Sequence, residues 1–402
     1  MTKKIIFFVL FALLTCPAVA QVKDQDVKIG ERFSLYSKTL NEDRPFWVYL
    51  PQSYDSKVFA PKSYPVMYLL DGDAHFHSAS GVVQFMSSGI NLNHRIPEVI
   101  IVAIPNTKRT RDLTPTHNLK NLVGEEDQGN ALTGGANTFL QFLQSELIPR
   151  VEAKYRTIPY RLLVGHSLGG LFALHAFETA PSVFQAIIAI DPSLWWDNQA
   201  VVNRGKQFLA EGKTLNNRVY ISLAHLPPLG PAKPEMHEVP VRAFAGLLEK
   251  SASPKLRSKL QYFAEEDHAS VPLLSLYHGL KFIFEGYNAA LDIYFQKPPS
   301  ELVAHFKNVS ERLGVEFLPP EQLVNDFGYI SWGGLRDVDR AIEFFKLNVA
   351  LYPNSFNVYD RLGEAYMAKG DKAAAVKNYE KSLELNPENQ NGKEMLQKLK
   401  KQ

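Results

Sequence analysis

The run Gly165-His166-Ser167-Leu168-Gly169 carries the clearest chemical signal in this sequence. It fits G-x-S-x-G, the nucleophile elbow, in which a serine sits on a tight strand-to-helix turn with its hydroxyl raised above the end of a sheet. Glycines two before and two after the serine keep bulky side chains from colliding across the bend. The flanks agree: the apolar run Leu162-Leu163-Val164 precedes the motif, and a helical pattern from Gly170 to Ala176 follows it. A helix starting there adds positive dipole where an oxyanion would form. These residues point to nucleophilic catalysis by Ser167.

A serine nucleophile needs a base, and in this arrangement the histidine comes late in the chain, after the last strand. His268, in Asp267-His268-Ala269-Ser270-Val271-Pro272, follows the final strand candidate and is expected to be that base; His278 falls within the helical run beyond, and His166 shapes the elbow. The acid is less well marked. No carboxylate follows the strand ending near Leu223, where the sequence reads Ala224-His225-Leu226-Pro227-Pro228-Leu229. Glu235 or Glu238 is favoured, Glu249 lies at a helix end, Asp191 after the preceding strand is a second option, and a bare Ser-His dyad is a third. For the oxyanion hole, the backbone N–H groups of Leu168 and of Asp73, in the turn Asp71-Gly72-Asp73, are the candidate donors.

Other polar clusters have two readings. Asp71, Asp73, His75 and His77 contain histidines two apart, as some metal sites do, but no H-E-x-x-H accompanies them, since Val241 stands where the second histidine after His237-Glu238 should be. Neither a metal nor any other cofactor is expected. Trp195 and Trp196 either line a substrate pocket or belong to the core. Lys108-Arg109-Thr110-Arg111 either contacts an anionic acyl group or is simply solvated.

The elements that must position these residues alternate between two patterns. Strand candidates are Phe46–Leu50, Val66–Leu70, Val99–Ile104, Leu162–Val164, Ala186–Ile190, Val219–Leu223 and Leu260–Phe263, several of them continuously apolar, as befits strands covered on both faces. Helical patterns lie between them, for example from Asn137 to Tyr155. The implied fold class is α/β with a mostly parallel sheet. After about residue 320 the pattern becomes wholly helical: Trp332, Ala341, Phe345 and Pro353 recur 34 positions later as Tyr366, Ala375, Tyr379 and Pro387. That is the tetratricopeptide period. The expected organisation is a signal segment over 1–20, a catalytic α/β unit over 21–295, a connector over 296–320, and helical repeats with a capping helix over 321–402.

The chain has 402 residues, with 45% hydrophobic, 21% charged and a formal net charge of +2. This excludes a disordered chain and a strongly basic nucleic-acid binder. Lys3 and Lys4, the apolar run Ile5 to Leu14, and Ala18-Val19-Ala20 form a secretory signal pattern, so export to a periplasmic or extracellular location is expected, with cleavage near Ala20. Leu13-Leu14-Thr15-Cys16 offers lipid anchoring as the alternative. No later stretch reaches the length of a membrane span. Cys16 is the one cysteine, and its removal with the signal would leave no thiol nucleophile.

Five segments, in order, give the sequence a family resemblance: Tyr68-Leu69-Leu70-Asp71-Gly72, Arg111-Asp112-Leu113-Thr114-Pro115, Gly165-His166-Ser167-Leu168-Gly169-Gly170, Pro192-Ser193-Leu194-Trp195-Trp196 and Asp267-His268-Ala269-Ser270-Val271-Pro272. Together they resemble the esterase family of α/β-hydrolases that includes siderophore trilactone esterases, S-formylglutathione hydrolases and mycolyltransferases. The resemblance covers about Lys28 to Phe284 and implies nucleophile Ser167, base His268 and an oxyanion hole near Asp73 and Leu168. The sequence departs from many relatives at His225-Leu226-Pro227-Pro228, where those carry the acid. The function expected on these grounds is an exported serine ester hydrolase acting on a small-molecule ester. Acyl transfer to an alcohol, or a non-catalytic binding protein whose repeats recruit a protein or peptide partner, are the alternatives.

Overall fold

The computed structural model describes residues 26–88, 93–227, 233–289, 293 and 296–401. The signal pattern and Cys16 lie outside the described residues. Eight strands form one sheet: β1 (Glu31–Ser37), β2 (Glu42–Tyr49), β3 (Tyr64–Leu70), β4 (Ile100–Ile104), β5 (Thr157–His166), β6 (Ala186–Ile190), β7 (Arg218–Ala224) and β8 (Arg257–Phe263). Their order is β1-β2-β4-β3-β5-β6-β7-β8. β1 and β2 pair antiparallel and β2 runs antiparallel to β4, whereas every other pair is parallel. All seven strand candidates are present. β1 is additional: its burial alternates along an exposed edge, so it lacks the continuous apolar run that marks β3 to β7.

Helices cover both faces. Ala136–Phe142, Leu168–Thr179, Trp196–Ala210 and Pro234–Glu249 pack on one side, where Phe139, Phe172, Val201 and Phe244 meet β-strand residues such as Leu163 and Ile187. Gly72–Ser87 and Val271–Ile283 pack on the other. The stretch expected as a connector instead forms the helix Ser300–Leu313, and its Leu302, Phe306, Val309 and Leu313 enter this second core. Spacings of four, three and four make one helical stripe, masked in the sequence by charged neighbours and by proline pairs at both ends. Phe306 meets the Tyr287 ring edge-on at 5.4 Å. Replacing it with alanine should therefore cost about 3–5 kcal/mol of whole-chain stability, read as a lowered thermal midpoint with retained secondary structure.

The C-terminal helices Val338–Leu351, Phe356–Lys369, Lys372–Leu385 and Gln390–Lys401 stack in antiparallel succession after Glu321–Tyr329. Ala341 and Ala375 are fully buried, as their repeat positions require, and Asp337 and Asp371, also 34 apart, cap the equivalent helices Val338–Leu351 and Lys372–Leu385 through the N–H groups of Arg340 and Ala374. This region is joined to the sheet-bearing part by more than the chain. Buried Glu321 accepts from the Ala60 N–H at 2.7 Å and from Ser355 and Asn357 at 3.0 Å each, while Phe327 and Phe344 belong to the second core.

Candidate active site

The chemistry-bearing residues converge where parallel strands end. β3, β5 and β6 are each followed by a non-glycine residue in the left-handed region: Asp71 (φ 52°), Ser167 (φ 60°) and Asp191 (φ 43°). Such backbone is strained and persists where surrounding structure imposes it. At Ser167 the imposition is visible. A β-carbon on Gly165 would overlap the Gly169 carbonyl, and one on Gly170 would come within 3.0 Å of Pro192. Gly165→Ala should thus open the elbow, destabilising the fold by about 1–3 kcal/mol and removing reaction of Ser167 with a fluorophosphonate in the fraction that stays folded.

Ser167 stands at the start of the helix Leu168–Thr179, so the Leu168 N–H lies in a first turn where no intrahelical acceptor exists. Asp73 stands likewise in the first turn of Gly72–Ser87. The Ser167 Oγ lies 3.2 Å from Ser193 Oγ. No hydrogen bond joins it to His268 among the described residues; in ligand-free hydrolases that contact commonly forms only with substrate bound.

His268 lies in the loop after β8, and its Nδ1 donates to Asp191 Oδ2 at 2.5 Å. His166 Nε2 donates to the His268 carbonyl at 2.8 Å, with the two rings 4.5 Å apart, so the residue before Ser167 holds the loop that carries His268. Burial, with His268 and His75 adjacent, lowers the His166 imidazole to a pKa of about 4. It stays neutral and serves as a donor rather than a charge. Asp191 is 1% exposed. Burial opposes its ionisation, but hydrogen bonds from His237, His268 and the Ala224 N–H outweigh burial and hold the carboxyl well below the usual carboxylate range.

The favoured acids Glu235 and Glu238 do not reach His268. Both lie on the helix Pro234–Glu249, whose inward stripe is His237, Val241, Phe244 and Leu248. Glu235 is exposed, and Glu238 bonds Arg242 one turn on, at 2.5 Å. His237, just before Glu238 on the same helix, points inward instead, its Nε2 at 2.9 Å from Asp191 Oδ1. The sequence signal for Asp191 is its place directly at the end of β6. For His237 it is helical phase, which requires the helix start to be known.

The remaining candidates resolve by packing. Trp196 is 1% exposed, and its Nε1 donates to Thr116 Oγ1 at 3.1 Å, so it belongs to the core; Trp195 is half-buried beside it. The basic run neither waits for a substrate anion nor is merely solvated. Arg109 grips Asp71 through Nε (2.6 Å) and Nη2 (3.1 Å), and Arg111 pairs with Glu42 and Asp112. The Arg109 pair, despite burial, holds the Asp71 carboxyl below its ordinary range, which braces the turn carrying Asp73 against the elbow. Asp71 and Asp73 share the Asn106 Nδ2 donor, at 2.8 and 3.2 Å, but with His75 and His77 their ligand atoms do not all converge. Among the described residues the histidine and carboxylate atoms that do are those of Asp191, His237 and His268, within 4.8 Å of one another and able in principle to hold a metal ion.

A mostly parallel eight-stranded sheet, with a serine on a strained turn after β5 and a histidine in the loop after β8, defines an α/β-hydrolase. A family model described as "Putative esterase" matches residues 37–225, and a tetratricopeptide model matches 356–389. A solved IroE-like serine hydrolase from Shewanella oneidensis is 32% identical, with a TM-score of 0.71, covering 80% of this chain and 99% of that one. The chain belongs to this esterase family. The ferri-bacillibactin esterase BesA of Bacillus subtilis is 33% identical over 46% of this chain and 66% of its own length. The siderophore enterobactin esterase of Emericella nidulans is 34% identical over 37% of this chain and 52% of its own. The chain thus spans between about half and two thirds of these curated relatives. No helix among the described residues is long and apolar enough to cross a membrane.

Proposed function

We propose that this protein is a serine carboxylic-ester hydrolase with the triad Ser167, His268 and Asp191. The observation that carries this reading is the bond from His268 Nδ1 to a buried, ionised Asp191, set beside the strained Ser167 elbow. That bond fixes the proton on Nδ1 and leaves Nε2 as the base. In the reaction, Ser167 turns from Ser193 toward His268, gives up its proton to Nε2, and forms a bond to the ester carbonyl carbon. The Leu168 and Asp73 N–H groups take the oxyanion. His268 returns the proton to the departing alcohol, leaving an acyl-enzyme; a water, deprotonated by the same histidine, then releases the acid.

The names of the relatives support siderophore-type esters as the substrate class. The lysine pair, apolar run and Ala18-Val19-Ala20 support export through a cleaved signal. A protein partner for the repeats is consistent with their type, although the shared core and Glu321 favour an equal role in covering the catalytic unit. The test is a panel running from short nitrophenyl esters to catecholate trilactones, on wild type and Ser167→Ala, with fluorophosphonate labelling and peptide mapping. Failure of folded wild type to label on Ser167 would remove the enzymatic reading. Transfer of the acyl group to an added alcohol in preference to water would instead indicate an acyltransferase.

A further inference from the structure

The Asp191 carboxylate is held from two sides. His268 occupies Oδ2; His237 and the Ala224 N–H occupy Oδ1, both at 2.9 Å. His237 comes from the helix Pro234–Glu249, separate from the loop that carries His268, and the two imidazoles stand nearly perpendicular at 5.9 Å. It is 4% exposed and is bonded to no other described side chain. A buried polar side chain of this kind is retained only where its hydrogen bond compensates for desolvation.

We propose that His237 is a positioning residue for the triad: by donating Nε2–H to Asp191 Oδ1 it fixes the plane of the carboxylate, so that Oδ2 alone faces His268. The proposal rests on the triad reading above and deepens it. A carboxylate free to rotate could offer either oxygen, or both, to His268, and the imidazole would follow it away from the nucleophile. Two donors on Oδ1 remove that freedom. They also draw charge from Oδ2, which moderates how strongly Asp191 holds a proton on His268. The catalytic acid here thus depends on a residue from the penultimate β-α connection, the region that supplies the acid itself in many relatives. The other ionisable groups facing this array are His166, packed on His268 with His75 behind it, and Asp267, next to His268 on its loop. His225 and Tyr262 pair with each other at its edge.

The experiment measures kcat, KM and the pH profile of ester hydrolysis for wild type, His237→Gln and His237→Leu, each checked for folding by thermal melting. Glutamine can place an amide N–H near the position of Nε2, whereas leucine fills the space without a donor. The expected result for leucine is a kcat lowered about 10- to 100-fold, KM within about two-fold, and the acid limb of kcat/KM moved to higher pH. The upward sign follows because Asp191, short of one donor, holds the His268 proton more tightly. Glutamine should recover most of the rate and return the limb toward its wild-type position. A second measurement covers poor folding of the leucine variant: in an Asp191→Ala background, adding His237→Gln or His237→Asn should leave the rate of Asp191→Ala unchanged, because the residue acts only through Asp191. Wild-type kinetics and an unmoved limb in folded His237→Leu, or a clear further loss in the Asp191→Ala background, would overturn the proposal. Both outcomes are distinct from failure of wild type to label on Ser167, which would overturn the triad reading itself.

Discussion

Ser167→Ala is expected to lower kcat for any ester this protein hydrolyses by about 10⁴-fold or more, with KM little changed and no loss of stability. The size follows from the role proposed for Oγ: without it no acyl-enzyme could form, and only oriented donors would remain to assist direct attack by water. The stability part follows from the backbone. Ser167 is held at φ 60° by packing of Gly165 against Gly169 and by bonds from the Ser167 N–H to the Ile190 carbonyl and from the Ser193 N–H to the Ser167 carbonyl. None of these uses the hydroxyl. Among the described residues its hydrogen bond is to Ser193 at 3.2 Å, which is long and replaceable. Steady-state kinetics with a chromogenic ester, beside a thermal melt, measures both. A variant retaining a tenth of wild-type kcat would mean that another group forms the acyl-enzyme.

Asp191→Asn should cost about 10²- to 10⁴-fold in kcat, whereas Glu235→Gln and Glu238→Gln should stay within about two-fold. An asparagine keeps the shape but offers an NH₂ that can face His268 Nδ1. The imidazole then carries its proton on Nε2 and can no longer accept one from Ser167. The same change deprives the imidazolium of its counter-charge. The effect also has a pH signature. Since hydrogen bonds from His237 and His268 hold the Asp191 carboxyl below its ordinary range, its contribution to stability is complete above the unfolded carboxylate pKa and is lost as pH falls through the lower folded value. Wild type and Asp191→Asn should therefore differ most in melting temperature near neutrality and converge in acid. Measuring kcat for the three variants, and melting curves from pH 7 down past the ordinary carboxylate value to the most acid pH at which the fold survives, tests both parts. Equal rates for Asp191→Asn and wild type would leave His268 working as a bare dyad.

How much of this was legible beforehand depends on the distance over which each feature is determined. The parallel core strands announce themselves because burial on both faces demands unbroken apolar runs. The elbow does so because a tight turn confines its constraints to five consecutive residues. The repeats are visible because stacking copies of one unit imposes a fixed period. By contrast, β1 lies at an edge where half its residues meet solvent, and the helix Ser300–Leu313 hides its stripe among charges and between prolines. Trp196 is core rather than pocket because Thr116, far back in the chain, supplies the acceptor that lets its indole be buried.

The sequence by itself determined the α/β class, the serine and its elbow, the histidine after the last strand, and the helical repeats, since each is a pattern of neighbours along the chain. Only the tertiary structure placed a carboxylate, that of Asp191, against His268. Asp191 and His268 are 77 positions apart and Asp191 and His237 46, and no local rule links them. Glu235 and Glu238 have the position along the chain that an acid after the penultimate strand requires. Helical phase turned them outward and brought the histidine between them to the carboxylate at the end of β6, where adjacent parallel strands deliver residues remote in sequence to one edge of the sheet.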